Sequence, residues 1–242
     1  MDFNTPPPPQ ARTWNTGADV IAEENRRFMI RVYNWMSAGL GLTGLVAWIV
    51  SNDPALMSLI FGNKILLFGL IIAEVGMVFW LASSVMGMSV MTAMSVFMAY
   101  SALNGFTLAA IFAIYTPTTI STAFVVTAGT FGVMSFIGYT TKRDLTNLGG
   151  FLMMGLIGVV IASLANFWFQ SPAIHWAVTY IGLFVFIGLT AYDTQKIKEM
   201  NIIGNEGTAE DTKEAIRGAL SLYLDFINMF LFILQIMGGK RD

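Results

Sequence analysis

The chain has no cysteine, which excludes disulfides, thiolate metal sites and a cysteine nucleophile and leaves the redox compartment unread. Charge is scarce as well: only 12% of the 242 residues are Asp, Glu, Lys or Arg, about half the share a soluble domain carries. No cluster of basic residues able to neutralise phosphates is present, and a net charge of −2 argues against nucleic acid. Histidine occurs once, His175 beside Trp176, where a residue of the aromatic belt at the membrane interface is expected. Met1 to Gln10 holds four consecutive prolines and no apolar core behind a basic start. That segment is therefore not a cleavable signal peptide and reads as a disordered tail.

Apolar sequence fills the rest, at 55% of residues and a mean hydropathy of +0.66, in runs near the length of about 20 residues that crosses a bilayer as a helix. The expectation is an all-α membrane protein with seven transmembrane helices, near 30–50, 64–85, 88–114, 119–139, 148–169, 174–195 and 218–237. An interfacial helix carrying Glu23, Glu24, Arg26, Arg27 and Arg31 is expected to lead into the first, which stops at Asn52-Asp53-Pro54. The third is long and contains Asn104-Gly105, so it is expected to tilt or break locally, and Thr116-Pro117 ends it. A charged connection from Lys196 to Arg217 separates the last two. The chain divides into a disordered or interfacial tail, 1–24, and one seven-helix domain, 25–242.

Lys and Arg collect on the cytoplasmic side of membrane proteins. With the N-terminus cytoplasmic, seven spans put Arg12, Arg26, Arg27, Arg31, Lys142, Arg143, Lys196, Lys198, Lys213 and Arg217 inside, ten of the thirteen basic residues; only Lys64, Lys240 and Arg241 fall outside. A re-entrant seventh segment would instead return the C-terminal Lys-Arg to the cytoplasm.

Against this apolar background three acids stand out. Asp193 closes the sixth span and Asp225 lies near the start of the seventh. At about 1.5 Å per residue, both fall in the cytoplasmic half of the membrane on consecutive helices. A charge in hydrocarbon costs at least about 2.5–3.5 kcal/mol, so such a residue needs a partner, and here each acid is the other's candidate. Two carboxylates held together in a poorly solvated place cannot both ionise cheaply and share one proton. Deprotonated, they offer the oxygen ligands that Ca²⁺ prefers. The plainer reading of Asp193 is an interfacial residue reaching to water. Glu74, central in the second span, either lines an ion path or is a neutral acid hydrogen-bonded between helices. Asn104 reads as an interhelical hydrogen-bond donor, the sixteen methionines as gap fillers, and Gly39, Gly41, Gly44, Gly155 and Gly158 as sites of close helix packing.

Six ordered motifs carry a resemblance. Ala73-Glu74-Val75-Gly76, Leu103-Asn104-Gly105-Phe106-Thr107-Leu108, Phe131-Gly132-Val133-Met134-Ser135, Gly138-Tyr139-Thr140-Thr141-Lys142-Arg143-Asp144-Leu145, Ala191-Tyr192-Asp193-Thr194-Gln195 and Leu222-Tyr223-Leu224-Asp225-Phe226-Ile227-Asn228 resemble the bacterial branch of the Bax inhibitor-1 (transmembrane Bax inhibitor motif) family, from about residue 25 to the end. The resemblance implies six helices around a central C-terminal seventh in a bacterial inner membrane, and a pH-sensitive calcium leak gated by a proton-sharing aspartate pair, here Asp193 and Asp225. Some family members place an arginine near the cytoplasmic end of the second helix to hold one aspartate when the pair separates. Here that stretch is Ala82-Ser83-Ser84-Val85-Met86, so Arg143 or Lys142 would have to serve as the latch.

The partners expected are thus the lipid bilayer, protons and Ca²⁺ as permeant or bound ion, with no cofactor and no enzymatic activity. The rival reading is a non-conducting regulator that binds another membrane protein, such as a membrane-anchored protease. An intramembrane aspartyl protease is more remote: Tyr192-Asp193 resembles one of its motifs, but Asp225 follows Leu222-Tyr223-Leu224 where those enzymes place Gly-x-Gly.

Overall fold

The computed structural model describes residues 17–238 and is helical almost throughout. The helices are α1 (Ala18–Ser51), α2 (Pro54–Gly62), α3 (Lys64–Ser84), α4 (Val90–Leu108), α5 (Ala110–Ile114), α6 (Pro117–Thr140), α7 (Thr146–Phe169), α8 (Pro172–Met200) and α9 (Ala209–Met237), with a 3₁₀ turn at Val85–Gly87 after α3. The proline-rich tail and the C-terminal Lys240 and Arg241 lie outside the described residues.

Short polar residues set where helices begin. Asp53, Thr116 and Ser171 each cap a helix by accepting hydrogen bonds from the first-turn N–H groups, with Pro54, Pro117 and Pro172 at the first helical position. There proline's missing N–H costs nothing and its fixed φ suits the helix. Asn63, Ser89 and Thr208 cap α3, α4 and α9 in the same way.

Six of the helices, counting α4 with α5 as one, are long and apolar enough to cross a membrane, and α1 with α2 makes a seventh, bent by 99° at the break. The protein is a multi-pass membrane protein. Three details differ from the sequence expectation, and the expected local break in the third span is found. The polar lead-in to the first span is the start of α1 itself, continuous from Ala18. The bend is followed by a helix, α2, that apolar run length does not separate from a loop. The long third span breaks at Ala109, one turn after Asn104-Gly105, giving α4 and α5. The charged connection is mostly helical: α8 runs on to Met200 and α9 begins at Ala209, because charges suit helix ends that project beyond hydrocarbon.

α9 is the centre of the bundle. Of its apolar window 56% is buried, against 33% for α8 and 6% for α3, and it packs on α1, α3, α4, α6 and α8, while α7 stands behind α8. Tyr223 at its middle is fully buried with Phe97 and Tyr100 edge-on to its ring, and its hydroxyl lies 2.7 Å from that of Thr43. Lipid tails are as apolar as leucine, so packing and hydrogen bonds rather than water exclusion hold such helices together. Close approach is therefore decisive where α1 meets α4: a Cβ at Gly39 would lie 2.8 Å from the Phe97 ring, and one at Gly105 2.8 Å from the Thr43 carbonyl. Gly155 also meets a neighbour, Val185, whereas Gly41, Gly44 and Gly158 face open space. Those three are not packing sites, since one-dimensional spacing does not say which face meets a helix.

Charge segregates by end. Arg27 and Arg31 pair with Glu206, Arg31 also with Asp211, Lys198 donates to the Tyr139 carbonyl and Lys213 to that of Met86. One end of the bundle thus gathers the basic residues, the cytoplasmic end by the charge rule. α9 runs from it to the opposite end, where Gln235 meets Thr179 at the start of α8, so the seventh helix crosses the bundle rather than re-entering.

Candidate functional site: an acidic pair between the last two helices

α8 and α9 run antiparallel, and three contacts fix their register: Thr179 Oγ1 donates to Gln235 Oε1 at 3.1 Å, Gly182 faces the Phe232 ring, and Gly218 faces Ile197. That register sets Asp193 opposite Leu222 and puts Asp225 about one turn, ~5 Å, deeper. Asp225 is 4% exposed, and its Oδ2 is buried with no hydrogen-bond partner among the described residues. Asp193 is half-buried, its charge acts on Asp225, and the Lys196 ammonium, one turn along α8, acts on Asp193 in turn. The two aspartates are thus brought together, staggered rather than level.

The residues around Asp193 are tied to neighbouring helices. Thr194 Oγ1 lies 2.9 Å from Ser135 Oγ, which is in turn hydrogen-bonded to the Tyr33 hydroxyl, so α8, α6 and α1 share one hydroxyl chain. Gln195 clamps the α6–α7 loop: its Nε2 donates to the Arg143 carbonyl and its Oε1 accepts from the Leu145 N–H, both at 2.8 Å. The Lys142 and Arg143 side chains are exposed and, among the described residues, neither ion-pairs with Asp193 or Asp225. Arg143 contributes its carbonyl here, not its guanidinium.

Glu74 sits elsewhere. Its Oε1 lies 2.7 Å from the Thr107 hydroxyl, which is also 3.0 Å from the Asn104 carbonyl, so α3 is tied to α4. Its electrostatic neighbours are Tyr100 and Tyr223 rather than the aspartates. Asn104 is buried beside Tyr100. Among the described residues no three or more Asp, Glu or His converge as a metal site, so Ca²⁺ at the pair would draw its remaining ligands from water and carbonyls.

Sequence reasoning did not find the cytoplasmic clamp. Asp211, 1% exposed, accepts from Arg31 Nη2 and from the Gly207 N–H, both at 2.9 Å, and Glu24 accepts from the Gly204 N–H at 2.7 Å. These bonds strap the α8–α9 loop to α1. The only signal in the sequence is charge on both segments, which does not pair them.

The fold and the pair define a multi-pass helical membrane protein whose central helix carries a buried carboxylate facing a second one on its neighbour. The family model described as "Inhibitor of apoptosis-promoting Bax1" matches residues 25–242, and the chain belongs to the Bax inhibitor-1 family. It is 53% identical over 215 residues to the inner membrane protein YbhL of Escherichia coli, covering 88% of this chain and 92% of that one. It is also 41% identical over 220 residues to the uncharacterized protein RP147 of Rickettsia prowazekii (90% and 91% covered), and 39% over 216 residues to an uncharacterized protein of Borreliella burgdorferi (89% and 93%).

Proposed function

We propose that the protein is a pH-sensitive cation leak of the bacterial inner membrane, with Ca²⁺ as the permeant ion and Asp193–Asp225 as its proton-operated gate. One observation carries the reading: among the described residues the buried Asp225 Oδ2 has no hydrogen-bond partner, and the Asp193 charge acts on Asp225 across the α8–α9 interface. A shared proton satisfies that oxygen and holds the helices together; its loss leaves two like charges in a weak dielectric and drives them apart. Repulsion then acts on the packing of α9, the most buried helix of the bundle. The sequence holds no nucleotide-binding motif to power a pump, which fits passive flow.

No catalytic role is assigned. Leu222 and Tyr223, preceding Asp225, are fully buried, which leaves no backbone for a substrate to approach. The test is Ca²⁺ flux into liposomes holding the purified protein, recorded from pH 5 to pH 8. Flux that is low in acid and rises with pH supports the leak. No Ca²⁺ flux at any pH, with a second membrane protein co-purifying, replaces it with the regulator.

A further inference from the structure

A crevice of about 480 Å³ adjoins the hydroxyl chain but lies outside the aspartate pair. It lies in the cytoplasmic half between α1 and α6, walled by Met29, Ile30, Phe131 and Phe136 and floored by Tyr33 and Ser135, with Arg26 at its cytoplasmic mouth. α1 packs on α4 and α9, and α6 on α8 and α9, but the two do not pack along each other. Among the described residues the Tyr33–Ser135 hydrogen bond spans the gap. The lips face the bilayer: Ile30 is 43% and Phe136 68% exposed. The volume is that of a small-molecule site and far above the roughly 30 Å³ of a water, and the apolar walls would not hold water.

We propose that this crevice seats a glycerophospholipid of the cytoplasmic leaflet, one acyl chain between α1 and α6 and its phosphate at Arg26. The surrounding solvent at that depth is hydrocarbon, so a lipid chain enters without desolvation. The charge at the mouth matches a phosphate. Arg26 is exposed, with Nε and Nη2 on the neighbouring Glu23 carboxylate, and Lys198, whose ammonium sits on the Tyr139 carbonyl and ring, adds a second cation where Tyr139 lines the same opening. The seated chain would rest on Tyr33 and Ser135 and not on the aspartate pair, neither member of which lines the crevice, so the proposal stands or falls apart from the leak.

The test uses the intact protein in liposomes of phosphatidylethanolamine and phosphatidylglycerol carrying a trace of phosphatidylcholine with a diazirine on one acyl chain. Photolabelled peptides are mapped by mass spectrometry. Label should concentrate on Met29–Ser37 and Phe131–Tyr139, several-fold above the lipid-facing side of α7 around Phe151 and Phe167. Gly132→Leu should remove that excess. A Cβ at Gly132 would meet nothing within 4 Å, so this variant should fold, which its melting temperature checks. Arg26→Gln should weaken labelling by the phospholipid, and a diacylglycerol bearing the same chain should label weakly from the start. Labelling no greater than on α7, or undiminished in Gly132→Leu, or equal with diacylglycerol, overturns the proposal. So does capture of a second polypeptide instead of lipid by benzoylphenylalanine at position 132, which would make the crevice a seat for a partner helix.

Discussion

Gly138 in α6 faces the backbone carbonyl of Ala191 in α8 so closely that a Cβ at Gly138 would overlap the carbonyl oxygen. The contact is backbone against backbone, so no rotamer can relieve it, and it lies two residues from Asp193. Overpacking a tight contact costs about 1–3 kcal/mol. Gly138→Ala is expected at the upper end of that range, read as a lowered melting temperature in detergent, while Gly129→Ala, where a Cβ meets nothing within 4 Å, should leave stability unchanged.

Asp193→Asn and Asp225→Asn keep the shape of the pair and remove the charge that separates it. Each should make Ca²⁺ flux nearly independent of pH, where the parent protein closes in acid and opens as pH rises. Lower absolute flux is also expected where a carboxylate ligand for Ca²⁺ is lost. Unchanged pH dependence in both well-folded variants would falsify the pair as the sensor.

Glu74 is predicted to hold α3 to α4 without setting the pH response, because its contact is Thr107 and not the aspartates. Thr107→Val should cost about 1–2 kcal/mol, the range of hydrogen bonds between membrane helices. Glu74→Gln should leave the midpoint of the flux–pH curve where it was. A midpoint that moves with Glu74→Gln would transfer the sensing role to this residue.

At the cytoplasmic clamp, Asp211→Ala leaves the Gly207 N–H and the Arg31 guanidinium without their shared acceptor. Arg31 is still 30% exposed and can turn to water, so the expected loss is about 2–3 kcal/mol, near the value of a charged hydrogen bond. Limited proteolysis should show faster cleavage in the 201–208 loop, with the bundle itself intact.

One titration outside the membrane has a definite sign. The Thr146 hydroxyl and backbone N–H hold the Asp144 carboxyl below its ordinary value of 3.8, the N–H donating at 2.8 Å at the start of α7. A carboxylate depressed in the folded state contributes above its unfolded pKa and loses that contribution as pH falls through the lower folded value. Protection of the Thr146 amide from hydrogen exchange should therefore persist at pH 5 and fade below the ordinary carboxylate range. In Thr146→Val, NMR should find the Asp144 carboxyl titrating closer to 3.8.

Much of this architecture is legible in one dimension. Hydrophobic run length places the spans, Thr116 and Ser171 before proline stand where two of them begin, and the distribution of Lys and Arg orients the bundle. Each is a local property: hydrocarbon thickness, the orphan N–H groups of a first turn and the membrane's charge asymmetry act on a segment whatever its neighbours are. Asp193 and Asp225 are conspicuous for the same reason, as charges where solvation is poor.

What the chain pattern could not supply is which surfaces meet. That α2 is a helix bent away from α1, that Gly39 and Gly105 but not Gly41 or Gly44 carry close contacts, that Glu74 answers to Thr107, and that Asp211 binds Arg31 across 180 positions all depend on the register and rotation of one helix against another. So does the stagger that puts Asp225 a turn deeper than Asp193. The sequence by itself determined which segments are long and apolar enough to cross, how the basic residues distribute between the ends and which acids are out of place. Only the tertiary structure decided their neighbours, because side chains far apart in the chain interact over a few ångströms, a distance that helix packing sets and composition does not.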